Sequence, residues 1–368
     1  MTKEIVQLQF VFPKYFLSLR QNMNMMKHPA EVDVAVLILF FTRPEPLKKV
    51  FEEIRKARPS KLYLYQDGPR GEHDMAGIEA CRQVVSDEMI DWECDVQRNY
   101  QSVNAGCDPS NFNAQKWAFS LSDKCVVFED DSIPSVSFIR FCKEMLDRYE
   151  NDERIVMIEG FNTDEVTPDV PYDYFFTTVF SIWGWASWRR VVDQWDEHYT
   201  FLDDAYNMHQ LEMLTKERRY RTTMLRMTRD HRALGKAYYE SIFWPCMMFN
   251  HGLAIMPTKN MINNLGTAAG DESTHYAGSL QTMPRRLRKL FTMKRYELEF
   301  PLKHPRYMIE NVDYLHSNYR VNAYGHPWIK IGYSLEELWN NLRYGNFSFI
   351  GKSFKNRIVK LLGMKHFR

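Results

Sequence analysis

Apolar and polar positions along the first half of this chain follow two alternating periods. Val32 to Phe41 is almost continuously apolar, as a strand buried on both faces of a parallel sheet reads. Thr42-Arg43-Pro44 interrupts it, and Leu47, Val50, Phe51 and Ile54 return at the spacing of a helix with one buried face, with Pro44 and Pro46 suited to its first turn. Lys61 to Tyr65 reads as a second strand, ended by the turn Gln66-Asp67-Gly68-Pro69. A helix carrying Ile78, Cys81 and Val85 precedes a third strand read from Trp92, Cys94 and Val96. After the loop Asn104-Ala105-Gly106-Cys107 come a helix from Pro109 to Leu121 and a fourth apolar run, Cys125 to Phe128. A helix with Phe138, Phe141, Cys142, Met145 and Tyr149 on one face, then the strand Arg154 to Ile158, continue the series. Strands and helices alternating in this way predict a doubly wound, mostly parallel α/β sheet.

The fourth apolar run ends in Glu129-Asp130-Asp131. Three adjacent carboxylates cannot share a packed interior, since burying even one unpaired costs several kcal/mol. They belong at the exposed C-terminal tip of the strand, where open α/β sheets bind ligands. Oxygen ligands there suit Mg²⁺ or Mn²⁺ with a phosphorylated substrate as the other partner. The competing reading, at even weight, is an acidic turn in which Asp131 and Ser132 cap the next helix. Arg43, Asp67 and Asn104 follow the other strands, so the same sheet edge offers groups for a nucleotide and its phosphates, although Asp67-Gly68 alone is more often just a turn.

The second half is denser in aromatics. Trp183-Gly184-Trp185 sets a residue without a side chain between two indoles, which suits a sugar ring stacking on one of them; a core segment is the competing reading. Glu240 stands among Tyr238, Tyr239, Phe243 and Trp244, surroundings that raise a carboxyl pKa toward the range of a general base, unless it is a plain surface glutamate. Leu253 to Pro257 reads as a strand and Lys259 to Gly266 as a polar loop leading to His275, which is either a metal or phosphate contact or a histidine with no such role.

The chain has 368 residues, enough for one large α/β domain with appendages. With 48 basic against 47 acidic side chains there is no whole-chain case for nucleic-acid binding. Six scattered cysteines without a CxxC pair favour a reducing compartment. Neither a membrane-spanning run nor a signal-peptide pattern is present, and Met23, Met25 and Met26 raise the expectation that residues 1–30 are an extension outside the native start. Beyond about residue 280 the chain turns basic, with Arg285, Arg286, Arg288 and Lys289 clustered and no acid after Glu337. Ile358, Val359, Leu361 and Leu362 among the late basic residues suit either a peripheral contact with an anionic membrane or a solvated tail.

Taken in order, Thr42-Arg43-Pro44, Gln66-Asp67-Gly68, Asn104-Ala105-Gly106 and Phe128 to Pro134 resemble the nucleotide-binding half of GT-A fold glycosyltransferases, especially the N-acetylglucosaminyltransferase I family. Residues 183–190, Glu240 with Gly252 to Pro257, and Asn263 to His275 are similar to segments of bacterial relatives of that family. The resemblance covers residues 32–278 and departs at Glu240, where aspartate is commoner, at Met256, and at Gly266 to Gly270. It implies a GT-A, Rossmann-like domain over 31–280 and a basic helical extension over 281–368. Asp131 would ligate Mn²⁺ or Mg²⁺, with His275 a second candidate. Asp130 would support metal or ribose, Glu129 would face the donor sugar, Asp67 and Asn104 would belong to the nucleotide site, and Arg43 would meet phosphate. Glu240 would deprotonate the acceptor hydroxyl, giving inversion.

The expected activity is metal-dependent transfer from a nucleotide sugar, a UDP-sugar first, to a surface or lipid-linked glycan at the cytoplasmic membrane face. A sugar nucleotidyltransferase of similar fold, and a non-catalytic, lytic membrane protein, are the alternatives.

Overall fold

The structure, a computed structural model, describes residues 27–215, 217–266, 280–347 and 349–351. In chain order the elements are β1 (Val32–Phe40), α1 (Pro44–Ala57), β2 (Pro59–Gln66), α2 (Met75–Val84), β3 (Asp95–Tyr100), α3 (Cys107–Leu121), β4 (Lys124–Glu129), β5 (Ser132–Pro134), α4 (Val136–Arg148) and β6 (Ile155–Glu159). They continue with β7 (Tyr174–Thr177), β8 (Trp185–Trp188), α5 (Arg189–Val192), α6 (Ala205–Leu214), α7 (Arg218–Leu234), α8 (Tyr239–Phe249), β9 (Leu253–Pro257), β10 (Ile262–Asn264), α9 (Arg285–Lys289), α10 (Val312–Val321) and α11 (Pro327–Arg343).

A strand as uniformly apolar as β1 must be covered on both faces and both edges, and it lies inside an 8-stranded sheet of order β3-β2-β1-β4-β8-β6-β9-β7. The first four of these run parallel. β8 is antiparallel to both β4 and β6, β6 and β9 are parallel, and β7 closes the far edge antiparallel to β9. The fold is therefore α/β with a mostly parallel central sheet flanked by helices. The chain steps outward from β1 through β2 to β3, then returns to place β4 on the other side of β1. That reversal opens a crevice beyond the carboxyl ends of β1 and β4, the position at which open α/β sheets receive ligands.

Three readings of local structure change. The third strand begins at Asp95, later than the alternation implied. Trp92 is buried and donates its indole N–H to the Pro59 carbonyl, so it plugs the core instead of extending the edge strand. Ser132 does not cap a helix: Ser132–Pro134 is a short strand paired antiparallel with Ile262–Asn264, and the helix starts at Val136. The carboxylate of Glu297 accepts from the Val136 and Ser137 amides and takes the capping role from outside the helix. The third change concerns Trp185, which is in β8, wholly buried and stacked between Phe119 and Tyr239, with ring centroids 6.3 and 6.2 Å away. An indole in the middle of the central sheet cannot stack on a sugar, so this contact is withdrawn.

Met293, Leu298 and Leu302 lie past residue 280 yet are buried in the same core as β1 and β4. The Tyr296 amide donates to the Asn260 carbonyl. The basic segment thus begins within the packing of the main domain. Residues 1–26, His275 and the basic stretch from 352 onward lie outside the described residues.

Candidate active site

The crevice at the reversal encloses a cavity of about 470 Å³. Its walls come from the loops that leave four parallel strands: Phe41 to Arg43 after β1, Asp67 and Arg70 after β2, Asn104 and Gly106 after β3, and Glu129 with Asp130 at the tip of β4. The parallel sheet gathers these distant segments because its strands all point their carboxyl ends the same way.

Arg43 is the pivot of the crevice. Its Nη2 donates to Asp130 Oδ1 and, at 2.9 Å, to Asp131 Oδ2. Burial by itself lowers the guanidinium pKa, but the charges of Asp130 and Asp131 more than offset that and the net direction is upward, so the group stays protonated. Burial pushes Asp130 up to about 6 against the pull of Arg43. Glu129 rises well above the usual carboxylate range, first through burial and then through the charges of Asp131, Glu240 and Asp130. Arg43 thus stands at the cavity wall, its charge shared between the two aspartates.

Asp67 plays a different part from the one expected. Its Oδ1 accepts from the Gly68 and Ala105 amides at 2.9 and 3.0 Å, and its Oδ2 from the Gly106 amide and the Asn104 side chain at 3.1 and 3.0 Å. A carboxylate has about four acceptor positions and all are taken, so Asp67 fixes the loop between β3 and α3 and does not reach a nucleobase or ribose itself. Asn104 lines the cavity and donates its side-chain N–H groups to Asp67 and to the Gly68 carbonyl.

Asp131 faces the β5–β10 ribbon. Asn264 donates to its Oδ1 at 3.1 Å, and Gly266 leaves open the space beside Oδ2, where an added Cβ would lie 2.6 Å away. Asn264 and Gly266 were not singled out as site residues, although the Asn-x-x-Gly element containing them was legible. No three His, Cys, Asp or Glu are gathered into a metal-holding group among the described residues. Carboxylates are the donors Mg²⁺ or Mn²⁺ uses when substrate phosphates complete the shell, and Asp131 offers one whose oxygens accept here from Asn264 and Arg43.

Glu240 sits in the first turn of α8 and lines a second cavity of about 370 Å³, with Phe161, Ser181, Trp183 and Tyr220 among the walls. Its Oε2 is buried without a hydrogen-bond partner among the described residues. Burial pushes the carboxyl up to about 7, opposed by its own backbone N–H and reinforced by Asp108. The Cys107 thiol is pushed up to about 12 by burial and by Glu129, Asp108 and Glu240 together, so one thiol feels both the strand-tip acid and the helix acid. Glu129, at the wall of the first cavity, and Glu240, at the wall of the second, also act on each other's surroundings, since the charge of Glu240 helps to raise the Glu129 pKa.

Trp183 remains a contact candidate, half-buried, on the wall of the second cavity and packed edge-on to Phe161 at 4.6 Å. Gly184 is required for the backbone: its φ is 68°, and a Cβ there would fall 2.6 Å from Ile262 Cδ1. It turns the chain from Trp183 at the cavity into Trp185 in the core. Asp108 and Tyr239 were missed because they show their position only once α3 packs against α8.

A larger cavity of about 510 Å³, between Pro109, His198 and Arg232, contains none of the strand-tip acids. No helix among the described residues is long and apolar enough to cross a membrane.

No protein-family model and no curated protein sequence matches the chain. Among solved structures, a UDP-glucose pyrophosphorylase complexed with UDP-glucose aligns with 45% of this chain and 79% of its own length, at 10% identity and a TM-score of 0.24. A score that low carries no argument about fold or chemistry, and the reading of the site rests on its geometry.

Proposed function

We propose that the chain is a glycosyltransferase that moves a sugar from a nucleotide diphosphate donor, a UDP-sugar first among candidates, to a hydroxyl of a glycan or lipid-linked glycan. The observation that carries this reading is Glu240: a carboxyl with one unpartnered buried oxygen and a pKa of about 7, on the wall of the aromatic cavity, with a charge that reaches Glu129 at the tip of β4.

In this reading the donor diphosphate occupies the crevice. Arg43 swings part of its charge from Asp130 to the phosphates, and the loop braced by Asp67 closes the nucleotide side. Asp131, oriented by Asn264, would hold Mg²⁺ or Mn²⁺, which would neutralise charge on the departing diphosphate. Glu240, ionised, accepts the proton of an acceptor hydroxyl seated against Trp183. The hydroxyl oxygen then attacks the anomeric carbon from the face opposite the diphosphate, and the configuration inverts. The resemblance to the N-acetylglucosaminyltransferase I family supports the same assignment.

A thermal-shift panel of nucleotide sugars, with and without Mn²⁺, tests the reading. A UDP-sugar should raise Tm in a metal-dependent way, and Asp131→Ala should abolish the metal-dependent part. A response to nucleoside triphosphates and sugar phosphates, with none to nucleotide sugars, would favour a nucleotidyltransferase instead.

A further inference from the structure

The helix α11 is amphipathic in the inverse sense. Its polar side chains face the protein: Glu336 accepts from the Arg285 amide, Asn340 donates to the Thr282 and Met283 carbonyls, Tyr333 donates to the Val321 carbonyl, and Asn341 is buried. Its apolar side chains face outward. Trp328, Ile331, Leu335, Leu338, Trp339 and Leu342 recur at spacings of three and four residues, so they form one stripe along 17 residues of helix. Trp328 is 82% exposed, Leu335 62% and Trp339 66%, and Tyr344 and Phe347 extend the stripe beyond the helix end. Single exposed apolar residues are ordinary, whereas a contiguous stripe this long marks an interaction surface.

Charge selects the occupant. The exposed positions of α11 include Lys330 and Arg343 but no carboxylate, because Glu336 accepts from the Arg285 amide and both Glu336 and Glu337 are half-buried. Arg285 and Arg286, exposed on the neighbouring α9, add positive charge on the protein-facing side of α11, next to Glu336 and Tyr333. Two copies of this face would oppose cations to cations with no acid between them. A bilayer with anionic headgroups complements both features, taking tryptophans and leucines into the interface while the cations stay among the phosphates.

We infer that the exposed face of α11 is a docking surface for an anionic phospholipid bilayer, on which the protein lies without spanning it. The surface is independent of the glycosyl-transfer reading. It would place the aromatic cavity of Glu240, whose wall includes Tyr314 and Tyr319 of the adjoining α10, near a membrane.

The test is co-sedimentation of the full chain with phosphatidylcholine vesicles, pure or containing about one-quarter phosphatidylglycerol, at low salt, where attraction of basic residues to the anionic surface is least screened. Binding should be at least about tenfold tighter on the anionic vesicles, and tryptophan emission should shift to the blue. The triple variant Trp328→Ser, Leu335→Ser, Trp339→Ser should lose at least about tenfold in binding while keeping its far-ultraviolet circular dichroism, since these side chains hold nothing in the fold. Should that variant misfold, Lys330→Glu with Arg343→Glu must weaken anionic binding alone.

Unchanged vesicle binding by the triple variant overturns the inference. So does loss of binding only when Lys352, Lys355, Arg357 and Lys360 are changed to Gln. Sedimentation showing a native dimer that the triple variant converts to monomer, with no vesicle binding, would assign the face to a second copy instead.

Discussion

Replacing Glu240 by glutamine separates chemistry from stability in a way only a buried base allows. Glutamine keeps the shape and removes the charge. The displacement of the Glu240 pKa from 4.5 to about 7 corresponds to about 3 kcal/mol of unfavourable burial of the charged form. The folded protein keeps this proton up to about pH 7, whereas the unfolded chain releases it near 4.5. Between those values the unfolded state binds fewer protons, so stability falls as pH rises, and the cost is fully present above about 7. Glu240→Gln should therefore be as stable as the native protein at pH 4, gain through the window, and reach up to about 3 kcal/mol of added stability by pH 8.

Activity should move the other way. Positioned general bases contribute about 10²- to 10⁴-fold, equal to about 3 to 5 kcal/mol in the barrier. With the donor found by thermal shift, nucleotide release under saturating donor and acceptor gives the rate, and urea unfolding at several pH values gives the stability. The native rate should rise with pH and reach half its plateau near 7, a limb the variant lacks. Transfer by Glu240→Gln at the native rate, or a variant that keeps the acidic limb, would refute the base assignment. Loss of activity without the pH-dependent gain in stability would show that the carboxyl is not held in the strained, buried state described here.

The two tryptophans flanking Gly184 should behave differently. Trp185→Ala empties a fully buried site and should cost about 3 to 5 kcal/mol by urea unfolding, whereas Trp183→Ala should leave donor binding intact and raise the acceptor KM. Arg43→Ala leaves Asp130 and Asp131 without their cation and should destabilise the fold by about 3 kcal/mol at neutral pH. Added Mn²⁺ should recover part of that loss, a result read as a larger metal-induced rise in Tm than in the native protein. Glu159, at the end of β6, is fully buried, and burial holds its pKa well above the carboxylate range against the opposing pull of the Ser181 backbone N–H. Burial favours its neutral form, so Glu159→Gln should be nearly neutral to stability at about pH 4, where both states keep the proton, and should gain over the native protein as pH rises above that, because only the native protein then loses stability.

Much of the scaffold was legible in the chain itself. Val32–Phe40 could be nothing but a central strand, because no surface position tolerates that run, and α1 and α4 followed from apolar residues at helical spacing. Exclusion of charge from the middle of a sheet puts the three acids at the tip of β4, and they are there, but Glu129 is the last residue of the strand, and Asp130 and Asp131 are buried against Arg43 where an exposed tip was expected. Sequence could not say what those acids would touch. Arg43 reaches Asp130 and Asp131 across 87 and 88 residues, and Asn264 reaches Asp131 across 133, separations that only the sheet order closes. The same limit governed the Trp-Gly-Trp segment. Two indoles two residues apart would share one face of a strand, but β8 begins only at Trp185 and Gly184 turns the chain before it, so Trp183 meets the cavity and Trp185 the core. The basic end of the chain was visible from composition, yet the outward stripe on α11 was not, since helical periodicity gives the width of an apolar face and only packing decides whether it points in or out.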